Sequence, residues 1–168
     1  MRTIVITLAF TVLTTAVVVQ PGAAQSAQAV KMYSSAADVT ALQAKAKSDR
    51  KDNAPLVVER ILQLAPYNAN LEYRATVGPA SVHEKEAEVF YVIDGGGTMV
   101  TGGKLLNEKR TNAENLTGSG IEGGTPRTLA KGDFLIVPEN TPHWFSSLNG
   151  SITLMSLHVP RSSGGGTH

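Results

Sequence analysis

The amino-acid sequence predicts an all-β protein, a sandwich or barrel of many short strands that is preceded by one short helix. After residue 55, apolar residues recur at every second position in several short segments, which is the period of a half-buried strand. Glycine, proline and asparagine separate these segments, as expected for tight turns. The chain of 168 residues is long enough for one domain with a substantial core, and its 16 glycines and 8 prolines permit many turns.

Composition and charge exclude several classes of protein. Hydrophobic residues make up 42% of the chain and charged residues 17%, as in soluble globular proteins. The 15 basic and 14 acidic residues nearly balance and form no basic stripe, so we expect no nucleic-acid partner. The chain has no cysteine, which excludes disulfides, thiolate metal ligands and thiol catalysis.

The N-terminal segment has the pattern of an export signal. Met1 and Arg2 give a positive start, an apolar run follows from Ile4 to Val19, and small residues come after it. We interpret residues 1–29 as a signal peptide, cleaved near residue 24 or residue 29. The alternative is a membrane anchor, but the run is shorter than the ~20 residues that span a bilayer. The sequence therefore predicts an exported protein, periplasmic or secreted, without a membrane segment after signal removal.

Residues 30–55 form a predicted helical segment. Ser35 and Asp38 make a capping box, in which the hydroxyl and the carboxylate each accept a hydrogen bond from the backbone of the first turn. The helix is predicted to run from about Ala36 to Ser48. Asn53-Ala54-Pro55 then ends the helical pattern.

Residues 56–160 are predicted to form the barrel, and residues 161–168 a flexible tail rich in glycine and serine. Pro66-Tyr67-Asn68 is interpreted as a turn between the first two strands. The predicted strands are Leu56 to Leu64, Leu71 to Val77, Glu88 to Ile93, Thr98 to Thr101, Phe134 to Val137, His143 to Ser147 and Ile152 to Val159.

Residues 102–125 show no clear period, which predicts a lid or a flexible insert. The insert contains Gly118-Ser119-Gly120-Ile121-Glu122-Gly123, a match to the dinucleotide-binding glycine pattern. No apolar strand precedes this string and no helical pattern follows it, so we interpret it as a chance turn.

Three residues in two separate segments have the chemistry of a metal site. His83 and Glu88 lie in residues 81–95, and His143 lies in residues 132–145. Two imidazoles and one carboxylate suit a divalent ion, and the same set holds iron in non-haem Fe(II) oxygenases. One divalent ion is therefore predicted, with Fe, Zn, Mn, Ni and Cu all compatible with these donors.

The two segments resemble the paired motifs of the cupin family, whose domains are small jelly-roll barrels that hold one metal ion inside. In the second segment, the residues at the family spacing are Gly132, Pro138, Asn140 in place of the usual glycine, and His143, while Ser147 replaces the usual final asparagine.

In the first segment, Glu88 and Gly95 fit the family pattern, and His83 stands where its second histidine belongs. Ser81 replaces the first histidine, so the chain keeps three of the four usual ligands. Its hydroxyl is a candidate to hold a metal-bound water from outside the ligand set.

Strand alternation predicts the lining of the pocket. Phe90 lies on the same face as Glu88 and, with Phe145, is predicted to line the pocket. Tyr73 and Arg74 point to opposite faces of their strand, so at most one of them enters the barrel. Arg74 or Arg60, if it faces inward, could bind a substrate carboxylate. For each of them an outward salt bridge is the favoured interpretation.

Four further residues receive ordinary structural interpretations. Glu84 and Glu86 are candidate substitute ligands, but a turn rich in charge favours solvated side chains. His158 matches no motif position and is interpreted as structural or surface. Trp144 alternates with His143 and is predicted to pack outside the pocket or in a subunit contact.

These observations predict an exported, metal-dependent enzyme that acts on a small organic molecule inside the barrel. Oxygenation is slightly favoured over isomerase or lyase chemistry. The alternative is a non-catalytic barrel that binds a small ligand or a metal ion. The resemblance to cupins also implies a homodimer.

Overall fold

The computed structural model describes residues 29–161, in which one α-helix precedes eleven β-strands. The all-β prediction with a short N-terminal helix is confirmed. Within the described residues no helix is long and apolar enough to cross a membrane. The elements are α1 (Ala36–Asp49), β1 (Val57–Leu64), β2 (Tyr67–Arg74), β3 (Ala80–His83), β4 (Glu86–Thr101), β5 (Lys104–Leu106), β6 (Lys109–Arg110), β7 (Asn115–Gly118), β8 (Gly120–Glu122), β9 (Thr125–Ala130), β10 (Phe134–Val137) and β11 (His143–Pro160).

The two long strands, β4 and β11, organise the barrel. They pair antiparallel, with three shifts of register along the way, so the first half of β4 lies beside the second half of β11. The second half of β4 lies beside the first half of β11. One layer contains β1, β2, the second half of β11, the first half of β4, and β10. The other contains β9, the second half of β4, the first half of β11, β3, β7 and β6. The short strands β5 and β8 pair with each other.

The long strands bend where glycine permits it. Gly95 has a φ of 75°, in the left-handed region that glycine adopts most easily. A Cβ at this position would collide with the carbonyl oxygen of Ser151 on β11. At this point β4 passes from one layer to the other, and its pairing with β11 resumes at Gly95↔Ile152 after a shift of register.

The inner and outer faces of the first layer have different partners. Between the layers lies the main apolar core, whose members include Phe90, Val92, Met99, Phe145 and Leu154. On the outer face, α1 covers a second cluster that contains Ala46, Ile61 and Leu71.

The helix begins as predicted. The Ser35 side chain accepts a hydrogen bond from the Asp38 amide, and the Asp38 carboxylate accepts one from the Ser35 amide. The Lys45 ammonium lies 2.6 Å from a Glu59 carboxylate oxygen on β1. Glu59 therefore lies on the outer, helix-covered face of β1.

Residues 102–125 differ from the prediction of an aperiodic insert. They contain β5 to β8, and β7 pairs with β3 from Ala80↔Gly118 to His83↔Asn115. The strands were missed because they have only two to four residues each, too few to show a period. The dinucleotide-type glycine string forms the turn between β7 and β8 and parts of those strands.

Other boundaries also moved. Tyr67 and Asn68, predicted in a turn, begin β2, which ends at Arg74. Two pairs of predicted strands merge into β4 and β11, because each chain segment stays extended beyond its glycines and pairing resumes there after a shift of register.

Candidate metal centre

Three imidazoles converge on the carboxylate of Glu88. The Nε2 atoms of His83 and His143 lie 3.4 Å and 3.2 Å from its Oε2 atom. Nε2 of His158 lies 3.3 Å from its Oε1 atom. Ligand atoms of His83, Glu88 and His158 all lie within 4.8 Å of one another, close enough to share one metal ion.

Strand register brings these residues together. His158 stands directly opposite Glu88 in the pairing of β11 with β4. His143 begins the same strand β11 and stands opposite Ser81 on β3, two residues before His83. Directly opposed side chains have Cβ atoms only about 5 Å apart, so register creates the contact of His158 with Glu88 and places His143 beside the strand that carries His83.

Each imidazole is also fixed through its other nitrogen. Nδ1 of His83 lies 2.7 Å from Oδ1 of Asn115, and Nδ1 of His143 lies 3.2 Å from the carbonyl oxygen of Thr141. Nδ1 of His158 lies 3.0 Å from a carboxylate oxygen of Glu86. All three partner oxygens accept hydrogen bonds, so each Nδ1 carries a proton.

This arrangement is the one that metal-binding histidines adopt. With a proton on Nδ1, a neutral imidazole directs its Nε2 lone pair at the metal, while the oxygen that accepts from Nδ1 holds the ring in place. Here ligand atoms of His83, His158 and Glu88 lie within 4.8 Å of one another, whereas His143 contacts the Glu88 carboxylate at 3.2 Å but is not part of this group. The centre therefore requires a cation, which is either a metal ion or protons on the imidazoles.

The pKa values of the metal-free centre follow from this need for positive charge. Burial of Glu88 raises its pKa, but hydrogen bonds from His143, His158 and His83 together outweigh burial and hold that pKa well below its ordinary value. The hydrogen bond to Glu88 is the largest effect on His158 and, against burial, raises its pKa to about 9. Burial lowers the pKa of His83, but its hydrogen bonds to Glu88 and Asn115 reverse this and leave the pKa raised.

The surroundings of the centre are partly those predicted. Phe90 and Phe145 are both buried between the layers, with ring centroids 6.1 Å apart, and the Phe90 ring lies 6.2 Å from that of His143. The Arg74 guanidinium lies 5.0 Å from the centroid of Phe145, so Arg74 faces the barrel interior. Tyr73 does not line the interior as suggested. It packs on the opposite face with the residues beneath α1.

Two other residues adjoin the ligand segments. Ser81 on β3 lies directly opposite His143 in the pairing of β3 with β11. Trp144 packs in a cluster outside the pocket, and its Nε1 donates to the carbonyl oxygen of Gly78.

Sequence reasoning missed three residues of the centre. His158 was interpreted as structural or surface because no motif contains it, yet it contacts Glu88. Glu86, expected to be solvated, accepts from His158, whereas Glu84 pairs with Arg110 at 2.7 Å on the surface. Asn115 lay in the segment without a period. The one available signal was alternation along the last strand, which places His158 on the same face as Leu154.

We expect Asn115→Ala to weaken metal binding ten- to hundredfold, the usual effect of removing the oxygen that orients a ligand imidazole. Asn115→Asp keeps an acceptor for Nδ1 of His83 and should retain most of the affinity. Competition titration with a chromogenic chelator measures both. Equal affinity in Asn115→Ala and the unaltered protein would show that this contact does not orient a metal ligand.

No protein-family model matches the chain, and no curated protein matches it. Among solved structures, it is similar to Fe(II) HppE, with 19% identity and a TM-score of 0.48 over 66% of this chain and 54% of that one. KdgF from Halomonas sp. aligns at 18% identity and a TM-score of 0.45, over 67% of this chain and 86% of that one. A cupin superfamily protein from Desulfitobacterium hafniense aligns at 11% identity and a TM-score of 0.45, over 68% of this chain and 86% of that one.

The aligned region thus spans only about half of HppE. One of the three neighbours is named as a cupin, the family that the sequence motifs resemble. At these identities the likenesses concern the fold alone, so conclusions about activity rest on this chain's own residues.

Proposed function

We propose that this cupin-like barrel binds one divalent metal ion and is a metal-dependent enzyme that acts on a small organic molecule. The proposed ligands are Glu88 and the Nε2 atoms of His83, His143 and His158. The observation that supports this set is the engagement of every Nδ1 by an oxygen acceptor, which leaves the three Nε2 lone pairs for a cation. His158 would restore the fourth ligand that the cupin pattern loses at Ser81.

The donor set suits Fe, Zn, Mn, Ni or Cu, because imidazole and carboxylate ligands accept all of these ions. When bound, such an ion supplies Lewis acidity and open coordination positions. The sequence motifs alone, with two histidines and a carboxylate, slightly favour oxygenation over isomerase and lyase reactions, because non-haem Fe(II) oxygenases use that set. With His158 the proposed set has one histidine more and does not choose among the three reactions.

The chain's own residues define how a substrate would reach the centre. The side chains of Glu88 and His143 are only 5% and 8% exposed, whereas those of His83 and His158 are 21% and 29% exposed. A substrate would therefore approach between His83 and His158. Phe90 and Phe145 exclude water from the opposite side.

Reconstitution tests the function. The metal-free protein would be loaded separately with each of the five ions, and metal content, oxygen consumption and product formation would be measured on a panel of small organic acids and polyols. We expect one ion per chain and turnover with at least one ion, both lost in His143→Ala. Stoichiometric metal that only raises the melting temperature, with no turnover, would favour the non-catalytic binding role. A folded protein that takes up none of the ions would contradict the metal-dependent enzyme and leave only a barrel that binds a small ligand.

We also propose that the protein is exported and forms a homodimer. Its N-terminal pattern supports export, and mass spectrometry of the mature N-terminus would test cleavage near residue 24 or 29. An apolar surface on β10 supports dimerisation, since Phe134 and Ile136 are 72% and 61% exposed. A monomeric mass by light scattering would contradict the dimer.

A further inference from the structure

We propose that the inner face of β2 binds the substrate of the metal centre, and that this substrate is a small hydroxylated carboxylate. The inference rests on the proposed function, because the substrate would lie beside the proposed ion. Four polar residues carry it, which we call the β2 row: Asn68, Asn70, Glu72 and Arg74.

The β2 row faces the barrel interior beside the metal centre. The alternate residues of β2, Ala69 and Leu71, pack on the outer face beneath α1. Asn70 stands opposite Ser156 on β11, and the pair Leu157↔Ala69 follows. Beyond that pair, the next residue on β2 is Asn68 and the next residue on β11 is His158. Asn68 and His158 are therefore neighbours on the inner face.

Two amide oxygens of the β2 row lack partners. The Oδ1 atoms of Asn68 and Asn70 are buried and accept no hydrogen bond from any described residue. A buried acceptor without a donor costs stability, so its retention needs a reason other than folding. A ligand hydroxyl matches these groups, because it can donate to Oδ1 and also accept from the amide nitrogen.

The arginines beside these amides have different roles. The Nε and Nη2 atoms of Arg74 donate to Oε2 of Glu72, at 3.2 Å and 2.8 Å, and Ser156 donates to the other oxygen of Glu72. The charge of Arg74 is thus neutralised inside the barrel. Arg60 on β1 stands directly opposite Asn70, and no described residue forms a hydrogen bond or ion pair with it.

Arg60 is exposed at the edge strand β1, on the side of the strand that faces the barrel interior. It follows Glu59, which pairs with Lys45 of α1 on the outer face, and successive residues of a strand point to opposite faces. Its free guanidinium can bind a carboxylate through two parallel hydrogen bonds. A bound divalent ion would add further positive charge next to Glu88, which also favours an anionic substrate.

The spacing limits the size of the substrate. Asn68 and Asn70 are two positions apart on one strand, a distance of roughly 7 Å, and Arg60 lies about 5 Å across the sheet from Asn70. A chain of about six carbons with hydroxyls along it and a terminal carboxylate spans these groups.

Calorimetric titration of the zinc-loaded protein with D-gluconate, sorbitol and hexanoate tests the inference. Gluconate carries both recognised groups, whereas sorbitol lacks the carboxylate and hexanoate the hydroxyls. We expect gluconate to bind at least tenfold more tightly than either. Arg60→Gln should raise the Kd for gluconate at least tenfold and leave that for sorbitol unchanged. Asn70→Leu should weaken the binding of gluconate and of sorbitol to the same extent.

Lys131→Gln is the matched control, because it removes one exposed positive charge in the turn before β10. Asn70→Leu should keep or raise the melting temperature, which separates lost recognition from lost folding. If the zinc-loaded protein does not bind gluconate, or if Arg60→Gln binds gluconate as tightly as the unaltered protein, this inference is overturned but the proposed function is not. Absence of zinc from the unaltered protein would instead contradict the proposed function.

Discussion

Glu88→Gln is expected to abolish metal binding, with metal content falling from one ion per chain to less than a tenth. The substitution keeps the shape of the side chain but removes the only carboxylate that all three imidazoles face. A neutral amide cannot balance a divalent charge in a buried centre, and we expect affinity to fall by at least ~100-fold. Elemental analysis after dialysis against metal-free buffer measures the loss.

Glu84→Gln provides the control for this loss. Glu84 lies four residues before Glu88, but its carboxylate pairs with Arg110 at the surface, 2.7 Å away. This variant should keep full metal content. Metal retained in Glu88→Gln would show that the ion binds elsewhere, and metal lost from both variants would indicate a general effect of charge or folding.

The second large effect is a reversal of the pH dependence of stability when metal binds. In the metal-free protein, the pKa of His158 is raised from 6.5 to about 9 by Glu88. A raised folded-state pKa stabilises the protein fully below pH 6.5, and this stability disappears as the pH rises through 9. We expect the free energy of unfolding to fall by on the order of 2 kcal/mol across this window.

Metal binding makes the free energy of unfolding rise with pH instead of fall. The ion must displace protons from the imidazoles, so its affinity rises with pH. The metal-loaded protein should therefore gain stability over the range in which the metal-free protein loses it. Urea unfolding with chelator and with zinc, at several pH values, measures both slopes. Parallel curves would contradict competition between protons and metal at one centre.

His158→Gln tests which group causes the fall in the free energy of unfolding with pH in the metal-free protein. Because this substitution removes the group with the raised pKa, most of the slope between pH 6.5 and 9 should vanish. An unchanged slope would assign it to other titrating groups.

Local sequence signals predicted the elements that depend on local interactions. Ser35 and Asp38 fix the start of α1 through hydrogen bonds within one turn, so the helix begins at the predicted residue. Phe134–Val137 was predicted with its observed bounds, because turns that contain Gly132 and Pro138 enclose it. Tyr73 and Arg74 were correctly assigned to opposite faces, but alternation alone could not decide which of them faces the interior.

Register between distant strands determined what the sequence could not show. His158 meets Glu88 only because β11 continues past Gly150 in pairing with β4, whereas the glycine was read as a break between two strands. Asn115 reaches His83 because β7 pairs with β3, and four residues of an edge strand carry too little pattern to be recognised.

The central claim is that Glu88, His83, His143 and His158 bind one metal ion inside the barrel. Anomalous diffraction from crystals of the zinc-loaded protein, recorded on both sides of the zinc edge, tests it most directly. We predict one peak within about 2.0–2.2 Å of Nε2 of the three histidines and of a carboxylate oxygen of Glu88. The absence of a peak at this position, or a peak bound by other residues, would contradict the claim.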